Sequence, residues 1–131
     1  MYQRYKKFNE SKKKKFPNLK KVEVDEFQVL IGRDSKSNDY LSTIMADDND
    51  MWMHVKGHPG SHVVIKTKDK VVSKETKQKV AEITAQHSKG KDQSSVEIVC
   101  CKAKFVTKPK GLNPGQVKVD YNNSEFLIVR N

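Results

Sequence analysis

Along this chain the spacing of apolar residues changes several times, and each change marks the boundary of an element. Val22-Glu23-Val24 alternates, and Phe27-Gln28-Val29-Leu30-Ile31 reads as a full strand that ends at Gly32. Asp34-Ser35-Lys36-Ser37-Asn38 carries turn and helix-capping chemistry. Tyr40, Leu41, Ile44 and Met45 then recur at helical spacing, which predicts a short helix over about 38–46. Two apolar runs, Met51 to Val55 and Val63 to Lys66, flank Gly57-His58-Pro59-Gly60-Ser61, a turn that reverses the chain into a hairpin. With the period of two of a strand, Trp52 and His54 share a face, as do His62, Val64 and Lys66, while Val63 and Ile65 point the other way. The main helix is predicted over about 73–89. Ser73 is its N-cap, Val80, Ile83, Thr84 and His87 form its apolar stripe, and Gly90 follows its last turn.

Val96 to Val106 reads as one long strand, bulged near Cys100 and Cys101, with Val96, Ile98 and Cys100 on one face. Thr107 to Gly115 holds two prolines and two glycines and is a basic irregular loop. Gln116 to Val119 and Glu125 to Val129 read as two last strands joined by a hairpin at Tyr121-Asn122-Asn123-Ser124. Runs of strands broken by one main helix define an α+β fold, a mostly antiparallel sheet with the main and short helices packed on it.

Composition adds a polyanionic partner and a boundary. The 131 residues suffice for one modest domain, and a hydrophobic fraction of 35% makes a thin core. Residues 1–21 carry nine basic side chains against the single Glu10, so +8 of the total +10 lies there and +2 remains for residues 22–131. With Tyr2, Tyr5, Phe8 and Phe16 interleaved, residues 1–21 read as a basic, partly disordered arm and residues 22–131 as the folded domain. Cys100 and Cys101 are adjacent, which is no disulfide framework and implies a reducing compartment. No apolar run approaches the length of a membrane span and no signal segment follows the basic start, so no membrane partner and a cytoplasmic location are expected.

The candidate chemistry centres on the hairpin, which holds the only Trp and three of the four His residues. His54, His58 and His62 could form a zinc set, but Pro59 and Gly60 place His58 and His62 across a turn and no Cys stands at ligand spacing. Ser61 beside His62 is a poor nucleophile and base pair, because neighbours on an extended chain point apart. The acidic run Asp47-Asp48-Asn49-Asp50 lacks the spacing, glycine and distal Glu of a calcium loop. No cofactor, metal or catalytic residue is expected. Core packing is the favoured role of Trp52, with base stacking the alternative. Arg33 and Asp39 either pair to fix the short helix or contact RNA. The residues point to RNA: Lys66 and the segment from Lys102 to Lys110, with Lys108 and Lys110, to neutralise phosphates, and His54 and His62 to meet bases or ribose.

Taken together, Phe27 to Arg33, Asn38-Asp39-Tyr40-Leu41, Asp50 to Val55, Pro59 to Ile65 and Lys108 to Gly115 resemble the NFACT-R domain, the RNA-binding module of fibronectin-binding-like and ribosome quality-control proteins. Five blocks in the right order, over about residues 22–130, carry the likeness, and the chain reads as a small stand-alone member. The resemblance implies binding of tRNA or ribosome-associated RNA, with the ribosome or rescue factors as further partners. It maps the family's motif onto Gly32, Arg33, Asn38, Asp39, Trp52, His54, Pro59, Gly60, Ser61, His62, Lys108, Pro109, Gly111, Pro114 and Gly115. The glycosylase-like domain, helix-hairpin-helix segment and coiled coil of the multidomain members are not in this sequence, so the likeness bears on RNA binding rather than on nascent-chain tailing. A protein-interaction module on ribosomal or rescue factors is the other reading, with a His-based metal enzyme behind it.

Overall fold

The computed structural model describes residues 15–131. Among these the elements run β1 (Leu19–Val24), β2 (Phe27–Gly32), α1 (Ser35–Tyr40), β3 (Met51–Val55), β4 (Val63–Lys66), α2 (Lys74–Gln86), β5 (Ser95–Lys102), β6 (Val106–Thr107), β7 (Lys118–Val119) and β8 (Glu125–Arg130). Six strands form one sheet in the order β1-β2-β4-β3-β5-β8, antiparallel at every pairing, and β6 with β7 forms a separate ribbon. The fold is α+β.

Both faces of the sheet are covered at its centre, which is why its middle strands read as unbroken apolar runs. On one face Val29, Ile31, Met53, Val55, Val63, Ile65, Ile98 and Cys100 pack under Val80, Ala81 and Ala85 of α2. Removing a side chain such as Val80 wholly from water contributes of order 1.5 kcal/mol. On the other face Leu30, Trp52, Val64, Val99 and Cys101 pack with Leu41 and Val106. Helix α2 starts where Ser73 accepts the Thr76 N–H, and the Asp25 carboxylate pins it to the β1–β2 turn through the Thr76 hydroxyl and the Lys79 ammonium. No helix of the described residues is long and apolar enough to cross a membrane.

Four expectations change. The short helix begins at Ser35 rather than near Asn38, because the Asp34 carboxylate accepts the Ser37 N–H at 2.8 Å and caps it early; it continues as a π-helical turn over Leu41–Met45. The long strand from Val96 breaks after Lys102, where Ala103 and Lys104 donate their N–H groups to the carbonyls of Asp50 and Asp48 and form a 3₁₀ turn. No terminal hairpin forms. Strand β7 pairs with β6 and β8 with β5, so Tyr121–Asn123 is a corner between two sheets, stabilised by Asp120 accepting the Asn122 N–H. Finally, Leu19, Lys20 and Lys21, assigned to the basic arm, are the first residues of β1; the arm's residues 1–14 lie outside the described residues.

The acidic run has a structural role. Buried Asp50 accepts the Thr67 N–H at 3.0 Å, the Asp47 N–H at 2.8 Å and the Lys66 ammonium at 2.5 Å. Replacing Asp50 with Ala leaves the buried Thr67 N–H without its acceptor and removes the nearer of the two carboxylates that hold the Lys66 ammonium, Asp47 remaining. A loss of about 2 kcal/mol in unfolding free energy is expected by urea denaturation. Asp50→Asn, which keeps an acceptor for Thr67, should lose less, and an Asp50→Ala midpoint equal to that of the unaltered protein would overturn this role.

Candidate nucleic-acid interface

Strand β2 ends in a junction where three segments meet. The Gly32 N–H donates to the His62 carbonyl at 3.0 Å, and Asn38 of α1 lies so close that a Cβ on Gly32 would sit 1.9 Å from its Oδ1. That oxygen accepts the His62 N–H at 3.1 Å, so the bare glycine lets α1 brace the start of β4. The loop between β3 and β4 is bound to the end of α2: the Ser61 N–H donates to the His87 carbonyl at 3.0 Å and the Lys89 N–H to the Pro59 carbonyl at 2.8 Å. Gly60 faces Ser88, whose Cβ would be 2.7 Å from any side chain added there. Between these segments opens a cleft of about 510 Å³ whose lining includes Gly32, Arg33, Asn38, Gly60, Ser61, Lys89 and Lys91. Arg33, Lys89 and Lys91 are exposed in it; Asp34 is engaged as the α1 cap, and Asp92 lies at the rim.

Trp52, His54 and His62 gather on the sheet face opposite α2. Their rings lie 5.2–5.9 Å apart between centroids, Trp52 stacked on His54 and both edge-on to His62. The Trp52 indole N–H donates to Ser42 Oγ at 2.8 Å, and Ser42 Oγ lies 2.7 Å from His62 Nδ1. In the neutral imidazole with its hydrogen on Nε2, the Ser42 hydroxyl donates to Nδ1, so the Trp52 N–H, the Ser42 hydroxyl and His62 Nδ1 are all paired. Above the cluster arches the 108–116 loop. The Lys108 ammonium holds it closed by donating to the carbonyls of Asn113 and Gln116 and pairing with Asp39 at 3.3 Å, while Asp39 also accepts the Gly115 N–H at 3.0 Å.

These contacts place the expected site residues, with Trp52 in its favoured core role. Trp52 and His62, 1% and 2% exposed, are core groups, because the loop and the turn after α1 cover them. Asn38 is a buried brace. Asp39 pairs with Lys108 rather than Arg33, and Lys108 is consumed inside its own loop. Lys66 lies at the opposite end of β4 from Ser61 and is bound to Asp50 and Asp47; burial opposes its charge, but the two carboxylates outweigh this and raise its pKa above the ordinary value. Arg33 and Lys110 remain exposed, half-buried Ser61 lines the first cleft, and half-buried His54 lines a second cleft with Lys56 and Tyr121. His58 turns away from the other two imidazoles and packs beside Gly90. Among the described residues no group of three or more His, Cys, Asp or Glu could hold a metal ion. Lys89 and Lys91 were missed. Their signal is Ser-Lys-Gly-Lys just past a helix end, but nothing in the sequence ties it to Pro59 and Ser61.

Burial, with a smaller contribution from neighbouring His54, pushes the His62 pKa down to about 4, against the partial opposition of Asp39 and the backbone of Gly115 and Asn38. Burial also lowers that of His54, which bonds to the backbone of Gly60. The unfolded chain therefore takes up these protons first. Stability should be full above about pH 6.5 and fall as pH drops toward 4, by of order 3 kcal/mol for His62. Asp25, held below its usual range by hydrogen bonds from Lys79 and Thr76, contributes its own loss only at lower pH. Urea midpoints at pH 7 and pH 5 test this: the midpoint should drop, less steeply in His62→Gln, and equal slopes in the two proteins would refute it.

Residues 15–121 match the family described as NFACT protein RNA binding domain. The chain is 39% identical over 99 residues to the Rqc2 homolog RqcH of Bacillus subtilis, covering 76% of this chain and 17% of that protein. It is likewise 39% identical over 89 residues to the Rqc2 homolog RqcH of Streptococcus suis, covering 68% of this chain and 16% of that one. Its fold is similar to that of the C-terminal part of the fibronectin/fibrinogen-binding protein of Streptococcus suis, with a TM-score of 0.79 and 34% identity over 90% of this chain and 46% of the other. It thus spans about a sixth of the length of these RqcH relatives. With the β2–α1 junction, the central hairpin and the 108–116 loop all inside the matched span, the chain belongs to the NFACT RNA-binding domain family.

Proposed function

We propose that this chain is a non-catalytic RNA-binding module that grips tRNA or ribosome-associated RNA by its phosphates and serves translation or ribosome-associated quality control in the cytoplasm. The observation that carries the proposal is the convergence of Arg33, Lys89 and Lys91, from two distant segments, on one cleft. Cations placed along a backbone-lined groove suit a ribose-phosphate chain, and their contacts fix position without reading sequence. Family membership supports the same reading, and the names of the RqcH relatives support the link to the ribosome. The buried rings of Trp52 and His62 hold the groove in shape rather than meeting the ligand.

The basic residues near the start would add sequence-independent attraction, since +8 of the net charge lies in residues 1–21. Titration of labelled tRNA at several salt concentrations is the test. Affinity should fall steeply with salt, because each phosphate contact releases counterions. The combined Arg33→Ala, Lys89→Ala, Lys91→Ala variant should flatten the slope of log affinity against log salt by roughly two units. Deleting residues 1–14 should weaken binding to all RNAs without abolishing it. A salt-independent affinity, or a triple variant indistinguishable from the unaltered chain, would overturn the proposal.

A further inference from the structure

Strand β8 carries the run Phe126-Leu127-Ile128-Val129. Leu127 and Val129 turn toward the core beneath α2. Alternation therefore sends Phe126 and Ile128 to the opposite face, where they are 38% and 48% exposed. The corner before β8 brings Tyr121, 54% exposed, onto Phe126 in a stacked arrangement 6.0 Å between centroids and 17° between planes. From the far side of β5, Lys56 places its ammonium 5.0 Å from the Phe126 centroid and 5.9 Å from that of Tyr121. Tyr121 also divides two clefts, one of about 400 Å³ with His54, Lys56 and Gln116, the other of about 560 Å³ with Lys104, Phe105 and Lys118.

We propose that this platform stacks unpaired nucleobases, so that the RNA held by this module presents a single-stranded loop to Tyr121 and Phe126. The inference rests on the RNA reading above and adds the substrate class: loop-bearing rather than fully duplex RNA. Two exposed, nearly parallel rings offer π faces that any base can extend, and duplex bases already stacked on one another cannot. The surroundings favour a polyanion over an apolar protein surface. Lys56, Lys104 and Lys118 are exposed around the rings. Of the nearby acids, Asp120 holds the Asn122 N–H and the Asn123 amide, Glu125 pairs with Lys77 at 2.9 Å, and Glu97, opposite Ile128, remains exposed beside the platform.

The test uses the full chain and three labelled RNAs: a hairpin with an unpaired loop, the same stem as a blunt duplex, and the loop sequence as a free single strand. Tyr121→Ala and Phe126→Ala should each weaken binding of the hairpin and the free strand about 5- to 30-fold. Duplex affinity and the salt slope should stay unchanged, and Tyr121→Phe should bind as the unaltered chain does. Melting temperatures establish that the variants are folded. An equal loss on duplex and loop RNA, or no loss on any RNA while the Arg33, Lys89 and Lys91 variant still weakens binding, would overturn the platform and leave the RNA reading standing. A chain that binds none of the three RNAs would remove both.

Discussion

A single hydroxyl joins the two ends of the functional region. Ser42 Oγ takes the indole N–H of Trp52 and meets Nδ1 of His62, with all three residues buried. Through it the turn that follows α1 is tied to β3 and to the first residue before β4. Polar atoms withdrawn from water this far must find each other, since an unpaired one costs about 1–3 kcal/mol. The register of α1 against the sheet follows from that demand, and with it the placement of Asn38 against Gly32 and of Asp39 against Gly115.

From that anchor the surface is arranged outward. Asp39 and Lys108 close the 108–116 loop over the imidazoles, so the residue types best suited to touching RNA at the centre of the sheet are kept from it. The groups that stay exposed lie on either side. At one end of the sheet Arg33, Lys89 and Lys91 line a cleft made of backbone and small side chains; across the far edge Tyr121, Phe126 and Lys56 form an aromatic surface. Phosphates are held by charge and bases by flat rings, and a folded RNA offers both at once. The division of the surface into a cationic cleft and an aromatic platform fits such a ligand better than either part does alone.

The paired lysines show how poorly net charge describes an interface. Lys66 and Lys108 have the same chemistry as Lys89 and Lys91, yet the first two are bound to carboxylates or carbonyls of their own chain. They act as staples. A count of basic residues cannot separate staples from contacts, because the difference lies in which acceptor the fold delivers within about 3 Å.

The sheet and its main helix were legible in the chain because burial on a strand or helix face leaves a period of two or of 3.6 residues, as in Phe27 to Gly32 and along Val80 and Thr84; the stripe read through Ile83 and His87 ends half-buried, and the small Ala81 and Ala85 complete the buried face instead. The central hairpin and the shared face of Trp52 and His54 were legible for the same reason. Junctions were not. The early start of α1 depended on one carboxylate accepting one N–H, the break after Lys102 on the distant carbonyls of Asp48 and Asp50, and the corner at Tyr121 on Asp120. The family likeness was carried by local blocks, which is why it survived errors in the junctions between them. By itself the sequence determined the sheet's main strands, the main helix, the fold class and the basic charge, since these follow from local periodicity and composition. Only the tertiary structure decided which cations and rings face solvent, because that depends on pairings between residues far apart in the chain.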